Sequence, residues 1–319
     1  MTMSKKMFLT VLSAMTACFV VSAADMMDLV PQGELTVCVT DRALPYLLNL
    51  DIRKTDPLFR QIFLLFLNDG MSEKSQNGTK LIYSAPALMD SEDGFLFVKT
   101  GIPEQNLQQI ASNIKLPGFR HTSVKFQSRT YQLFSQEYQR KGKIRRKEFA
   151  STYLEKDLAL VAKKSELLKY WDLKKGLSTS VRNDLTVPGA IACGVILPDE
   201  KWRATNFLLL RFSSGHLTLF PDGADGLRFR GVFVNPGAQD AQQTLVSLRN
   251  YVIMSAMFIG SADQALLQKW QEAFRFRQEG NTVIMEAHLK QDLLNGLQRV
   301  AKEQIPQYLN RRKQQKKHQ

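Results

Sequence analysis

Six basic side chains are concentrated near the middle of the chain: Arg140, Lys141, Lys143, Arg145, Arg146 and Lys147. This basic arm (140–147), the tail at 310–319, and Lys5 and Lys6 together account for the whole net charge of +13. Clustered cations attract phosphate, sulfate and carboxylate groups. We therefore interpret the six residues as candidate ligands for an anion, with anionic lipid head groups and acidic glycans as candidate partners. A solvated loop is the alternative.

Nucleic acid is not an expected partner. Outside the basic segments the charges balance, whereas nucleic-acid-binding domains carry a broad positive surface. Neither the arm at 140–147 nor the tail is interleaved with the aromatic side chains on which single strands stack.

The sequence lacks the motifs of the common catalytic and metal sites. His121, His216, His288 and His318 are widely separated, and neither H-E-x-x-H nor C-x-x-C occurs. Cys38 and Cys193 lie in apolar segments without a basic neighbour to lower a thiol pKa. No catalytic residue, metal or cofactor is therefore expected. A hydrolase of envelope or extracellular polymers stays open as an alternative function, because two acids from distant segments leave no local spacing.

The N-terminus has the pattern of a secretory signal peptide. Lys5 and Lys6 precede an uncharged, apolar run from Met7 to Val21, which ends in Ser22-Ala-Ala24. We expect residues 1–24 to be removed by cleavage after Ala23 or Ala24, and the mature chain to be periplasmic, envelope-associated or secreted. An uncleaved anchor and acylation at Cys18 are weaker alternatives. No later apolar segment approaches the length of about 20 residues that a membrane-spanning helix needs.

The 319-residue composition, with 44% hydrophobic and 23% charged residues, is that of a globular protein. Strand and helix patterns alternate irregularly, which predicts an α+β fold with a mixed, largely antiparallel, meander-rich sheet or sheets and flanking helices. We expect a first half at 25–172, a linker at 173–188, a second half at 189–309 and a disordered tail at 310–319. Segment 206–212 is a predicted strand, and Gly142 makes the basic arm a predicted hairpin tip.

The two halves share short sequence patterns, which leaves a tandem duplication open. Gly94-Phe-Leu-Phe-Val98 resembles the segment at 231–234, and Val161-Ala162 followed by two leucines resembles Glu286-Ala287 followed by two leucines. Each half also begins with a cysteine-bearing strand. The interval between the paired patterns is longer in the first half, where the extra residues coincide with the basic arm.

These patterns predict an exported, non-catalytic binding or structural component of the cell envelope or extracellular space, whose basic arm binds anions. No motif identifies a characterised family. The sequence leaves open the specific ligand, the oligomeric state and whether Cys38 pairs with Cys193.

Overall fold

A computed structural model describes residues 24–43, 79–88, 93–112, 114–126, 129–140, 142–205, 210–223, 226–260 and 264–297, with single helical positions at 58, 61, 62, 65, 66 and 299. The chain forms two compact units. The first comprises Met1–Leu47 and Ile52–Leu197, and the second comprises Leu48–Asp51 and Pro198–Gln319. The expected signal peptide up to residue 23, Cys18, Lys141, His318 and the tail lie outside the described residues.

The first unit is an antiparallel sheet with short helices. Its strand order is β8-β1-β2-β3-β7-β6-β5-β4. In chain order the elements are α1 (Ala24–Leu29), β1 (Leu35–Thr40), β2 (Thr79–Ala85), β3 (Phe95–Lys99), α2 (Leu107–Ala111), β4 (Phe119–Phe126), β5 (Arg129–Arg140), β6 (Lys143–Glu155), β7 (Leu158–Lys163), α3 (Lys164–Lys169), α4 (Thr179–Leu185) and β8 (Ala192–Ile196).

The core of this unit lies at its central strands. Strand β1 is buried along its whole length, and β3 and β7 are buried except at their last residues, as expected for strands covered on both faces. Tyr170, which follows α3, packs against Phe95 and Phe97 with ring centroids 5.7 and 5.8 Å away. Its hydroxyl donates to the Leu29 carbonyl over 2.8 Å, which joins the segment after α3 to α1.

Residues 173–188, interpreted from the sequence as a linker, are part of the first unit. They contain α4, and Leu177, Val181 and Leu185 are buried. Val181 and Leu185 are four apart and therefore share one face of α4, and Leu177 precedes the helix. Arg182 in α4 forms an ion pair with Asp28 in α1. The division between the units follows Leu197, after β8, because β8 pairs with β1.

The second unit has a smaller antiparallel sheet, with the strand order β9-β10-β12-β11. Trp270 packs with Val252, Leu266 and Leu293, and its indole N–H donates to the Val252 carbonyl over 3.2 Å. The elements are α5 (Glu200–Thr205), β9 (Ser214–Pro221), β10 (Gly226–Val234), α6 (Ala238–Gly260), α7 (Gln264–Ala273), β11 (Phe274–Glu279) and β12 (Thr282–Lys290), followed by helical residues at 291–297.

The strand predicted at 206–212 is wrong in its described part. Residues 206–209 lie outside the described residues, and 210–212 are not in a strand. The Arg211 N–H donates instead to the Thr244 hydroxyl of α6 over 3.1 Å. That hydroxyl donates in turn to the Asn235 side-chain oxygen over 2.7 Å. A helix side chain therefore satisfies the backbone group that a neighbouring strand would have bound.

The two units repeat one strand arrangement, and the α+β class with an antiparallel sheet is confirmed. The orders β2-β3-β7-β6 and β9-β10-β12-β11 have the same connectivity: a strand pair, one or more helices, and a hairpin whose last strand returns to pair with the second strand. Leu167 and Leu293 are buried in the helices that follow the two hairpins. This shared order supports a tandem duplication in which β4 and β5 are additions to the first copy.

Candidate functional site

The basic arm forms the end of the β5–β6 hairpin. The ladder continues from Phe134 opposite Phe149 to Arg140 opposite Lys143, so the basic residues extend two paired strands instead of forming a long loop. Gly142 has a φ of 73°, a left-handed conformation that favours glycine and allows the tight reversal. Paired strands hold their side chains at fixed spacing on two faces, whereas a solvated loop does not.

Alternation along the strands places three of the predicted cations on one face. Lys143, Arg145 and Lys147 project to the same side of β6, and their partners Tyr138 and Gln136 on β5 share that side. We call these five residues the cationic face. The Lys147 ammonium lies 5.4 Å from the centroid of the Tyr138 ring, within the range of a cation–π contact.

No acidic side chain projects on the side of the cationic face from the described parts of β4, β5 and β6 up to Tyr153. Lys143 and Arg145 are exposed, and Lys147 is half-buried. The local positive potential is therefore not offset within these three strands.

The opposite face of the same hairpin is charge-balanced. Glu137, Arg146 and Glu148 project to it, and Glu137 is directly opposite Arg146. Arg146 lies 2.9 Å from the Glu148 carboxylate, which also binds Lys164 over 3.2 Å. Ile144 is on this face and is 77% exposed. The predicted site residue Arg146 is therefore separated from the other cations and neutralised locally.

The remaining two predicted residues are only partly described. The Arg140 backbone pairs with Lys143, and Lys141 lies outside the described residues. Tyr138 and Gln136 were not among the predicted site residues. Lys143, Arg145 and Lys147 occupy every second position, and this spacing indicates that they share one face of a strand. The total charge of the run does not indicate which residues share a face.

Farther from the hairpin turn, the same side of the sheet carries a group of uncharged polar side chains. Gln132 and Ser151 are 7% and 0% exposed, and Gln132 Oε1, Ser151 Oγ and His121 Nε2 have no hydrogen-bond partner among the described residues. The His121 ring packs against Phe134 at 4.9 Å. Burial lowers the pKa of His121, and the neighbouring Gln132 side chain partly opposes that shift. A histidine kept neutral in this way adds no charge to the surface above it.

The two cysteines are directly opposite each other in the β1–β8 pair, where both thiols are buried and reduced. Burial raises the pKa of Cys193 to about 12. Since the thiolate is the nucleophile, a thiol with this pKa is inert near neutral pH. Both cysteines therefore contribute to the core as small apolar side chains.

Among the described residues, no three His, Cys, Asp or Glu side chains are grouped so that they could hold a metal ion. His288 Nδ1 lies 2.9 Å from Asp222 Oδ2 on the surface of the second unit, and His216 is in β9. Nor does any described helix combine the length and the apolar character needed to cross a membrane.

No protein-family model matches the chain, and no curated protein matches it in sequence. Among solved structures, the chain is similar to "Structure of crystal form I of TP0453" with 11% sequence identity and a TM-score of 0.40. The match covers 86% of this chain and 96% of that chain. A likeness at this level carries neither fold nor function from one protein to the other.

Proposed function

We propose that the protein is an exported, non-catalytic binding component of the cell envelope or extracellular space, and that it engages anionic surfaces through the cationic face. One observation carries the proposal. Lys143, Arg145 and Lys147 share a face that receives no acid from β4, β5 or β6, while Arg146 on the opposite face is neutralised by Glu148.

The geometry favours an extended array of anions over a single small anion. Side chains on one strand face are about 6.6 Å apart along the strand, so Lys143 and Lys147 are separated by about 13 Å. A bilayer of anionic lipids or an acidic glycan meets all three cations at once, whereas a free phosphate contacts one or two. Tyr138 adds an amphipathic ring that suits the boundary between an anionic surface and water.

The expected strength is modest. A lysine or arginine near an anionic surface contributes about 1 kcal/mol, so the three cations together provide about 3 kcal/mol, or about a 100-fold increase in partition. This contribution decreases as salt shortens the range of the field.

The test compares Lys143→Gln/Arg145→Gln/Lys147→Gln with a variant of equal charge loss, Arg146→Gln/Lys156→Gln/Lys174→Gln. The three control positions are exposed and lie off the cationic face. Retention of the exported chain is measured on phosphatidylglycerol vesicles and on immobilised heparin across a salt series. We expect the first variant to lose about 100-fold in retention on at least one surface, and the control to lose little. Equal losses by both variants would overturn the proposal.

Export has its own test. N-terminal sequencing of the protein recovered outside the cytoplasm is expected to give a chain that starts at Ala24 or Asp25. Either start preserves the buried Met26 and Met27 of α1. A chain that retains Met1 in the cytoplasmic fraction would contradict the export part of the proposal without affecting the binding part.

A further inference from the structure

The outer edge of β4 is open in the described part of the first unit. Strand β4 ends the strand order, and none of the described strands pairs with the edge that faces away from β5. Every residue from Thr122 to Phe126 is exposed, whichever face its side chain occupies. An exposed strand edge presents a row of backbone donors and acceptors that can pair with another extended chain.

The hydrogen-bond register identifies which backbone groups point outward. The Glu137 N–H donates to the Gly118 carbonyl over 3.0 Å, and the β4–β5 register continues directly from this hydrogen-bonded pair. In an antiparallel ladder such pairs alternate with non-hydrogen-bonded pairs. Residues 120, 122, 124 and 126 therefore bond to β5, whereas His121, Ser123 and Lys125 direct their N–H and C=O groups to the open edge.

The side chains along this edge combine apolar and cationic character. Val124 and Phe126 project to one face and are 40% and 43% exposed. Phe126 is directly opposite Arg129, whose guanidinium carbon lies 3.5 Å from the centroid of the Trp171 ring. Val124 and Phe126 therefore extend a side of the sheet that already has an aromatic and cationic surface.

Arg120 and Lys125 supply the charge at the edge. Both side chains are exposed, and neither forms an ion pair with another described residue. The two residues are near opposite ends of β4 and on opposite faces of it. A strand laid along β4 with acidic residues beside these two positions gains two cross-strand ion pairs.

We propose that the outer edge of β4 binds an extended, acidic segment of a partner protein by strand addition. Read antiparallel to β4, the segment places apolar residues opposite Phe126 and Val124 and acidic residues opposite Lys125 and Arg120. Its backbone bonds to the outward groups of His121, Ser123 and Lys125. Main-chain pairing gives affinity in this mode, and the alternating side chains give specificity.

Charge favours this occupant over two segments of the chain itself, a second copy of β4 and the tail at 310–319. The outward groups of β4 allow antiparallel pairing of two copies with Ser123 opposite Ser123, which puts Arg120 opposite Phe126 and Lys125 opposite His121. Strand β4 contains no acidic residue, so a second copy supplies no partner for either cation. The tail at 310–319 is basic. An acidic strand provides the opposite charge that both lack.

The probe is the synthetic peptide Thr-Val-Glu-Ile-Thr-Thr-Thr-Glu-Thr, with a second peptide carrying lysine at both glutamate positions. Binding to the exported chain is measured by fluorescence anisotropy. The informative variant is Ser123→Pro, because proline removes an outward N–H and leaves the β5 ladder intact. Ser123→Ala is the matched control, since it removes the side chain and keeps the N–H.

We expect Ser123→Pro to lose at least tenfold in affinity for the acidic peptide, and Ser123→Ala to keep it. In case proline impairs folding, Arg120→Glu/Lys125→Glu supplies a second measurement. This variant is expected to lose the acidic peptide and to gain the lysine peptide, which loss of folding does not produce.

Three results would overturn the inference. The first is unchanged affinity in a folded Ser123→Pro variant. The second is loss of the peptide in Lys143→Gln/Arg145→Gln/Lys147→Gln with no loss in Arg120→Glu/Lys125→Glu, which would assign the peptide to the cationic face. The third is concentration-dependent dimerisation that Ser123→Pro abolishes, measured by analytical ultracentrifugation, which would make a second copy the occupant. Failure of vesicle and heparin binding would leave this inference standing, because the two sites are altered by different variants.

Discussion

Strands β6 and β11 occupy the same place in the shared strand order, but the hairpins that they help to form hold their charges differently. We call β5–β6 the first hairpin and β11–β12 the second hairpin. In the second unit, β11 is the outermost strand of β9-β10-β12-β11 and has 6 residues. In the first unit, the corresponding strand β6 has 13 residues, and β5 and β4 follow it. The first unit therefore has a longer strand at this position, and two additional strands, β5 and β4, continue the sheet beyond it.

On the second hairpin and the neighbouring β10, acids lie close to two of the arginines. Arg277 lies 2.7 Å from Glu279 and 3.1 Å from Glu286, and Arg230 lies 3.7 Å from Glu286. On the first hairpin, Lys143, Arg145 and Lys147 share a face with no such acid from β4 to β6. Glu137 and Glu148, the acids at this end of the hairpin, project to the other side.

The comparison indicates where to look for function. If the units arose by duplication, the second unit shows that the shared strand order forms with a single outer strand. The cationic face and the open edge of β4 are additions to that arrangement. Surface features that the fold does not require are better candidates for binding than features that both copies share.

The largest expected effect comes from truncating a buried side chain of the β5–β6 hairpin at the end away from its turn. It tests whether packing there holds the hairpin in place. Phe134 on β5 is 0% exposed, so Phe134→Ala is expected to lower the free energy of unfolding by about 3–5 kcal/mol. Phe126→Ala on the neighbouring strand removes the same side chain from a 43% exposed site and is expected to cost less than about 1 kcal/mol. Urea unfolding followed by circular dichroism measures both. Similar losses at the two positions would show that the base of the hairpin is not a rigid support.

The fold and the candidate site were predictable to different extents. Strands β1, β3 and β7 are continuous apolar runs in the sequence, and α6 has apolar residues at helical spacing, because burial on a regular element imposes its period on the sequence. Strand β11 is hard to recognise in the sequence for a physical reason. Leu266, Trp270 and Phe274 are four apart, which extends the helix pattern one step beyond Ala273, where α7 ends. The alternation of Phe274 to Arg277 was the competing strand signal.

Two properties determine which residues form the site: the alternation of side chains between the two faces of a strand, and the register in which neighbouring strands pair. The sequence located the basic arm and its hairpin, and the alternation of side chains along β6 was enough to place Arg146 on the other face from Arg145 and Lys147. The residues that pair across strands could not be predicted from the sequence, since the register of the whole ladder from β4 to β7 determines them. For that reason Tyr138 beside Arg145, and the open edge at Ser123, became visible only in the structure.

A smaller effect is expected from removing one acid of the second hairpin. Glu286→Gln releases Arg230, while Arg277 keeps its contact with Glu279. One released cation is expected to increase retention on phosphatidylglycerol vesicles by about fivefold, which corresponds to about 1 kcal/mol. The exposed pairs contribute little to folding, so the free energy of unfolding is expected to change by less than about 1 kcal/mol.

Glu272→Gln is the matched control for this prediction. It makes the same change in net charge on α7, where Glu272 accepts a hydrogen bond from Gln268 and contacts no arginine among the described residues. If Glu286→Gln and Glu272→Gln increase retention equally, net charge and not the release of an arginine controls binding, and the contrast between the two hairpins has no functional meaning.

The smallest expected effect concerns how the first hairpin meets an anionic surface. Ile144 is 77% exposed at the tip but projects away from Lys143 and Arg145. A bilayer or glycan lying against the cationic face does not reach it.

Ile144→Asn is therefore expected to leave retention on vesicles and on heparin unchanged, and to alter the free energy of unfolding by no more than about 0.5 kcal/mol. Burying an isoleucine in a bilayer is worth about 1.5–3 kcal/mol, so a tenfold or greater loss on vesicles alone would mean that the hairpin enters the membrane by its tip. In that case Ile144, and not the row of cations on one face, would be the feature that distinguishes the first hairpin from the second.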